Sequence, residues 1–197
     1  ILQPGDVVFH CSGSLSSDIL SSAHKTGALT ASIHPNKSFT KSLHCINEFT
    51  GTICAVEGDA EAITILTDIF HTIGATVFQI DKKFKTMYHA AGCIASNYLV
   101  TLSFIANKCY QQSGISEKVA NQLVNSLMNS TLNNLATLPH KEALTGPIAR
   151  GDIKTITNHM LVLQNEIKEI YSILGKNTLV LTKHNRQQQI LNALDGL

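Results

Sequence analysis

Tryptophan is absent from the 197 residues, aromatic residues make up only 6%, and prolines number four. So few aromatics exclude a stacking platform for single-stranded nucleic acid. Charge is also scarce: 15 Lys and Arg stand against 14 Asp and Glu, for a net charge of +1. That balance offers neither a basic field for a phosphate backbone nor a polybasic patch for an anionic membrane. Five cysteines occur, Cys11, Cys45, Cys54, Cys93 and Cys109, an odd number with no C-x-x-C pair. The pattern excludes a disulfide framework and a structural zinc site, and it suits a reducing cytoplasm, with each thiol read as a small buried hydrophobe. The glycine-rich dinucleotide fingerprint, the P-loop, H-E-x-x-H and G-x-S-x-G are all missing. No pair among the nine histidines reads as a metal site on a helix, so no metal is expected, and His24, His44, His71, His140, His159 and His184 read as core histidines.

What is present is a core of 44% hydrophobic residues, in a pattern that changes midway along the chain. Val7 to His10, Leu29 to Ile33, Thr52 to Val56 and Ala75 to Ile80 are short β-branched or apolar runs bounded by turn residues, and they read as strands. Between them, a short helix from Ser16–Asp18 to Ala23 and a longer one from Ala60 to Ile73 are expected. Asp59 sits at the N-cap of the longer helix and Gly74 at its C′ position. Residues 36–51 are polar and show no period. Alternating strands and helices predict an α/β layer with parallel pairing over residues 1–81.

From residue 82 the sequence predicts an all-α domain, 82–197. Lys82 to Gln112 has no proline and a single glycine and reads as one long helix. Its centre, Ala90 to Ala106, is apolar or small, but Asn97 interrupts it and Lys85, His89 and Asn107 flank it, which favours burial by other helices or by a second subunit over a membrane span. Further helices are expected from Ser116 to about Leu138 and from Asp152 to Leu174, the latter stopped by Gly175. A strand-like run, Thr178 to Leu181, and a polar last helix follow.

Three groups of residues stand out as chemistry. Lys85 and His89 share a helix face one turn apart, with Ser96 close to the same stripe and Asn97 on its shoulder. A cation, an imidazole and an amide on one rigid helix can orient and protonate a carbonyl or imine. The bland alternative is a solvated Lys85, a core His89 and an Asn97 that links helices. His34-Pro35 and Cys11-Ser12-Gly13 lie at strand ends, where open α/β sheets bind ligands. Thr145-Gly146-Pro147 with Arg150-Gly151-Asp152 leads into a helix and can present N–H groups and a guanidinium to an anion.

These features occur together in Val8-Phe9-His10-Cys11-Ser12-Gly13-Ser14-Leu15, His34-Pro35-Asn36-Lys37-Ser38-Phe39, Glu57-Gly58-Asp59, Tyr88-His89-Ala90-Ala91, Ala95-Ser96-Asn97-Tyr98-Leu99-Val100 and Leu144-Thr145-Gly146-Pro147-Ile148-Ala149-Arg150-Gly151-Asp152. On these strings, from about Gly5 to Leu181, the sequence resembles a bacterial family of NADP-dependent oxidoreductase-like proteins. Its members pair an N-terminal Rossmann-like domain with a helical C-terminal domain of unknown function. More distantly the layout is similar to pyrroline-5-carboxylate reductase, prephenate dehydrogenase and the β-hydroxyacid dehydrogenases, with a helical half like the C-terminal part of 6-phosphogluconate dehydrogenase.

The resemblance implies the remainder of a Rossmann-like parallel sheet followed by a helical, dimer-forming domain. It implies NADP or NAD as cofactor, a small carbonyl, imine or hydroxy-acid substrate, and no nucleic-acid or membrane partner. His89, Lys85 and Asn97 become the expected catalytic residues, Ser12, Gly13 and His34 the cofactor contacts, and Ser96, Thr145 and Arg150 the substrate contacts. The family's glycine-rich phosphate loop is expected upstream of Ile1, and a strand Val7 to His10 that is apolar on both faces is expected to have neighbours on both sides. This chain alone is accordingly expected to bind a dinucleotide weakly or not at all. The alternative function is a non-catalytic, dimeric nucleotide- or metabolite-binding scaffold.

Overall fold

The computed structural model describes residues 1–39 and 49–196, so His44 and Cys45 lie outside the described residues. The chain forms two units, Ile1–Thr101 and Leu102–Leu197.

In the first unit β1 (Val7–His10) is followed by a 3-10 turn, Ser17–Leu20, and a single helical turn, α1 (Ser21–His24). Then come β2 (Leu29–Pro35), β3 (Ile53–Gly58), α2 (Ala60–Thr72) and β4 (Thr76–Gln79). The sheet order is β1-β2-β3-β4. Both outer pairs are parallel, and the central pair, β2 with β3, runs antiparallel with Ala31 opposite Gly58 and Ser32 opposite Glu57. Among the described residues β1 pairs with β2 alone.

Side chains alternate between the faces of a strand, and here the two faces differ in kind. Ala31, Ile33, Cys54 and Val56 point one way and pack on Ala62, Leu66 and Phe70 of α2. The opposite face carries Thr30, Ser32, His34 and Glu57. Asp59 occupies the N-cap position of α2 but does not cap it. Its carboxylate instead accepts from the Thr30 N–H at 2.7 Å and hydroxyl at 3.1 Å, tying α2 to β2.

The expected helix over 82–112 forms, with a local distortion. A 3-10 turn, Lys82–Phe84, leads into α3 (Lys85–Ala95) and α4 (Asn97–Gln112), and Ser96 between them, at φ −112° and ψ −65°, stays right-handed, its N–H bonded to the Gly92 carbonyl and its carbonyl accepting from the Val100 N–H. Within this single chain other helices do not cover this segment: α4 has no buried residue, and Ile94, Tyr98, Val100 and Phe104 are all more than half exposed. By length and composition the 82–112 segment could cross a membrane.

The second unit holds α5 (Glu117–Thr137), α6 (His140–Ala143), α7 (Gly146–Arg150), α8 (Ile153–Val162), α9 (Asn165–Thr178) and α10 (Gln187–Asp195). Asp152 caps α8 by accepting from the Thr155 N–H, as its position implies. The expected helix 152–174 is two helices, because the chain turns out at Leu163–Gln164 and Asn165 takes a positive φ of 49°. Gly175 does not stop α9. It lies within the helix, buried against Leu194, where a Cβ would come within 2.7 Å of that side chain. The run Thr178–Leu181 is helical rather than extended, closing with a 3-10 turn, Leu179–Leu181. Ile156, Leu179, Ile190, Ala193 and Leu194 form the core of this unit.

Candidate functional site

The polar face of the sheet is closed by the Ser17–Leu20 turn and by α3, and its buried centre is a lysine. Lys85 is 2% exposed. Its Nζ donates to the Ser12 carbonyl oxygen at 3.0 Å and to Ser32 Oγ, and lies 3.6 Å from Glu57 Oε1. Glu57, equally buried, accepts from the Ser17 N–H and the Ser17 hydroxyl, both at 2.8 Å. A buried ion pair is tolerated when further hydrogen bonds satisfy both ends, and these do. Burial outweighs the nearby Glu57 and pushes the Lys85 ammonium below its ordinary pKa. Lys85 is therefore neither solvated nor turned to a cleft: it ties α3, β2, β3 and the turn after β1 together.

That turn is also held by His10. Its ring accepts from the Ser12 N–H at Nδ1, 3.2 Å, and donates from Nε2 to the Ser16 carbonyl oxygen, 3.1 Å. So fixed, the turn brings Gly13 against two imidazoles. A Cβ on Gly13 would lie 2.5 Å from His89 Nδ1 and 2.8 Å from His34 Nε2, so no side chain fits there. The rings of His34 and His89 meet edge to face at 6.0 Å. His34 Nδ1 shares a 3.1 Å hydrogen bond with the Tyr88 hydroxyl, and His89 Nε2 lies 3.8 Å from Cys93 Sγ. His34 is held below its ordinary pKa, first by burial and then by the positive charges of His89 and Lys85. Burial raises the Tyr88 hydroxyl.

His34 and His89 open onto a cleft of about 430 Å³, whose wall includes Asn36, Cys93, Ser96 and Asn97. Of the residues expected from sequence, the structure gathers His34, His89, Ser96 and Asn97 on one cleft and sets Gly13 against the two rings, with the carbonyl of its neighbour Ser12 held by Lys85. Lys85 stands beneath them. Thr145 and Arg150 belong to the second unit, where both are exposed at the ends of α7. Sequence reasoning missed Tyr88, Cys93 and Asn36 as neighbours of the histidines, although Cys93 is one helical turn from His89. It also missed Glu57 as the partner of Lys85; a lone acid at the end of the apolar run Ile53–Val56 was the available signal.

The remaining histidines and thiols divide. His159 pairs with the Tyr171 hydroxyl at 2.7 Å and His184 donates to the Ile148 carbonyl oxygen at 2.8 Å, as core histidines do. His24, His71 and His140 are exposed, and His24 sits 3.3 Å from Asp59 on the surface. Cys54 is buried and Cys93 and Cys109 are half-buried, but Cys11 is exposed. Among the described residues no group of three metal-ligating side chains converges.

A Rossmann-like sheet is followed by helices, with Gly13 in the turn after β1, His34 near the carboxyl end of β2 and His89 on α3 facing them. The chain belongs to the family defined by a domain of unknown function, DUF2520, whose profile matches residues 52–178. Protein TM1727 from Thermotoga maritima is similar in structure, with a TM-score of 0.70 and 29% identity over 95% of this chain and 69% of its own. The Bacteroides fragilis protein named putative NADP oxidoreductase BF3122 aligns with a TM-score of 0.72 and 19% identity, over 88% of this chain and 65% of its own. Plasmodium falciparum pyrroline carboxylate reductase, solved with NADP bound, shares the fold with a TM-score of 0.53 and 11% identity over 96% of this chain and 67% of its own. The chain thus spans about two thirds of the length of these structures. No curated protein sequence matches it.

Proposed function

We propose that this chain is part of an NAD(P)-dependent oxidoreductase acting on a small carbonyl, imine or hydroxy acid. The observation that carries the reading is the convergence of His34 and His89 on Gly13, at the end of the sheet where this fold class binds ligands. Nicotinamide, when bound, supplies the hydride. Gly13 and Ser12, with His34, are the residues that would face its ring, and the missing Cβ at Gly13 leaves room for the two imidazoles beside it.

The chain's own groups then handle the proton and the orientation. His89 polarises the substrate oxygen or nitrogen and gives it a proton; Asn97 and Ser96, on the same cleft wall, orient the substrate. His34, kept neutral by its surroundings and hydrogen-bonded to Tyr88, holds the second imidazole in place. The half-exposed apolar side chains of α3 and α4 form the contact with a second copy of the chain, with Ala91, Gly92 and Ala95 allowing close helix approach. Sparse cysteines, unpaired among the described residues, fit a cytoplasmic protein.

The test is stereospecific transfer of deuterium from 4-deuterated NADPH to a panel of small aldehydes, imines and keto acids. Transfer from one face supports the oxidoreductase. Tight binding of nucleotide or metabolite with no transfer across the panel supports a non-catalytic scaffold instead.

A further inference from the structure

We infer that Tyr88 is the positioning residue of the His34–His89 site: its hydroxyl donates to His34 Nδ1 and fixes that ring as the Nε2–H tautomer, so that His34 offers a donor beside Gly13. A neutral imidazole carries one proton, and the partner of one nitrogen decides which nitrogen holds it. His34 Nδ1 lies 3.1 Å from the Tyr88 hydroxyl oxygen, and neither group has another hydrogen-bond partner among the described residues. His34 Nε2 turns the other way, to the point where a Gly13 Cβ would stand, 2.8 Å from it. Two directions are open to the bond with Tyr88. If Tyr88 donates, its one hydroxyl proton is used and the His34 proton sits on Nε2. If His34 donates from Nδ1, the proton of a half-buried hydroxyl is left without an acceptor, and an unpaired polar group out of water is costly.

The charge states agree with the first direction. Burial, and after it the positive charges of His89 and Lys85, hold His34 below its ordinary pKa, so near neutral pH the ring has a bare nitrogen with which to accept. Burial holds the Tyr88 hydroxyl above its own, so it keeps the proton it donates. The tyrosine ring is also fixed in place: it meets His34 edge to face at 5.6 Å and Phe78 of β4 at 6.2 Å. The effect passes on to His89, whose Nδ1 lies 2.5 Å from the same Gly13 position that His34 Nε2 faces. There a nitrogen bearing hydrogen suits a bare one, whereas two hydrogens or two lone pairs repel. With the His34 proton on Nε2, a neutral His89 keeps its own on Nε2, the nitrogen 3.8 Å from Cys93 Sγ in the cleft wall. The inference rests on the oxidoreductase reading only for the use of that proton, which is the one His89 would give to a substrate.

The experiment is a ring-nitrogen NMR spectrum of the whole, isotopically labelled chain at a pH above the His34 midpoint, wild type against Tyr88→Phe, which deletes the hydroxyl and keeps the aromatic ring. Wild type should show His34 protonated on Nε2 and bare on Nδ1. In the variant the Nδ1–H form should become populated, with the two His34 nitrogen shifts moving toward each other. A His34 proton on Nδ1 in wild type, or one unchanged tautomer in both proteins, would overturn the inference; the second result, with lowered stability, would mark Tyr88 as a packing residue. Should the variant fail to fold, wild type decides. A Tyr88 hydroxyl proton that exchanges slowly and couples to His34 Nδ1 upholds the inference, and one that exchanges as a free phenol does overturns it. Deuteride transfer is measured separately. Its absence would remove the oxidoreductase reading and leave the tautomer result standing, and transfer by a protein whose His34 is protonated on Nδ1 would do the reverse.

Discussion

Lys85 shows how a charged side chain serves a site without touching it. Its ammonium holds the Ser12 carbonyl, and the turn so held lays Gly13 against His34 and His89. Removing one partner of a buried pair strands the other charge and typically costs about 3–5 kcal/mol. Lys85→Met should lower stability by that order in urea denaturation, and adding Glu57→Leu should recover part of the loss, because the two changes remove one interaction between them. Gly13→Ala tests the next contact. With a Cβ 2.5 Å from one ring and 2.8 Å from the other, it should displace both histidines, seen as altered ring shifts for His34 and His89 with most other resonances unmoved. His34 supplies a pH signature. Its folded pKa lies below the unfolded value of about 6.5, so the folded state binds fewer protons in that window. The stability tied to the neutral ring is fully present above about pH 6.5 and is lost as pH falls through the folded value; His34→Gln should flatten that part of the stability–pH curve.

At the scale of elements, β3 depends on a glycine for its fit. Gly58 has a φ of 138° and lies against β2 so closely that a Cβ would come within 2.3 Å of the Thr30 carbonyl oxygen. Gly58→Ala should destabilise the first unit by on the order of 1–3 kcal/mol, measured by chemical denaturation. The strands themselves were legible, because Val7–His10, Leu29–Pro35 and the runs near 53 and 76 are apolar, β-branched and bounded by turns. What periodicity could not show was where helices break. The distortion at Ser96 leaves the helical hydrogen bonds in place, and the break after Leu163 falls at Asn165, a residue type that tolerates the positive φ it adopts; Gly175, a plausible stop, is retained in α9, where Leu194 fills the space beside it. The site was half legible for a related reason. One helix face put His89, Ser96 and Asn97 together, but the direction of Lys85 depended on Glu57, Ser17 and Ser32, which lie 28 to 68 residues away in the chain.

For the whole molecule, the central claim concerns an assembled oxidoreductase. Ile94, Tyr98, Val100 and Phe104 are exposed in the single chain, and if they form the proposed contact with a second copy, light scattering at micromolar concentration should give twice the monomer mass. A monomer mass would remove the dimer and leave the His34–His89 geometry to stand by itself. The most direct measurement is the rate of deuteride transfer from labelled NADPH in the full-length protein, wild type against His89→Ala. If His89 is the proton donor, the rate should fall by about 100- to 10,000-fold while the denaturation midpoint stays close to wild type. A rate within a few-fold of wild type, in a variant that has lost stability, would show that His89 is a packing residue and would contradict the account.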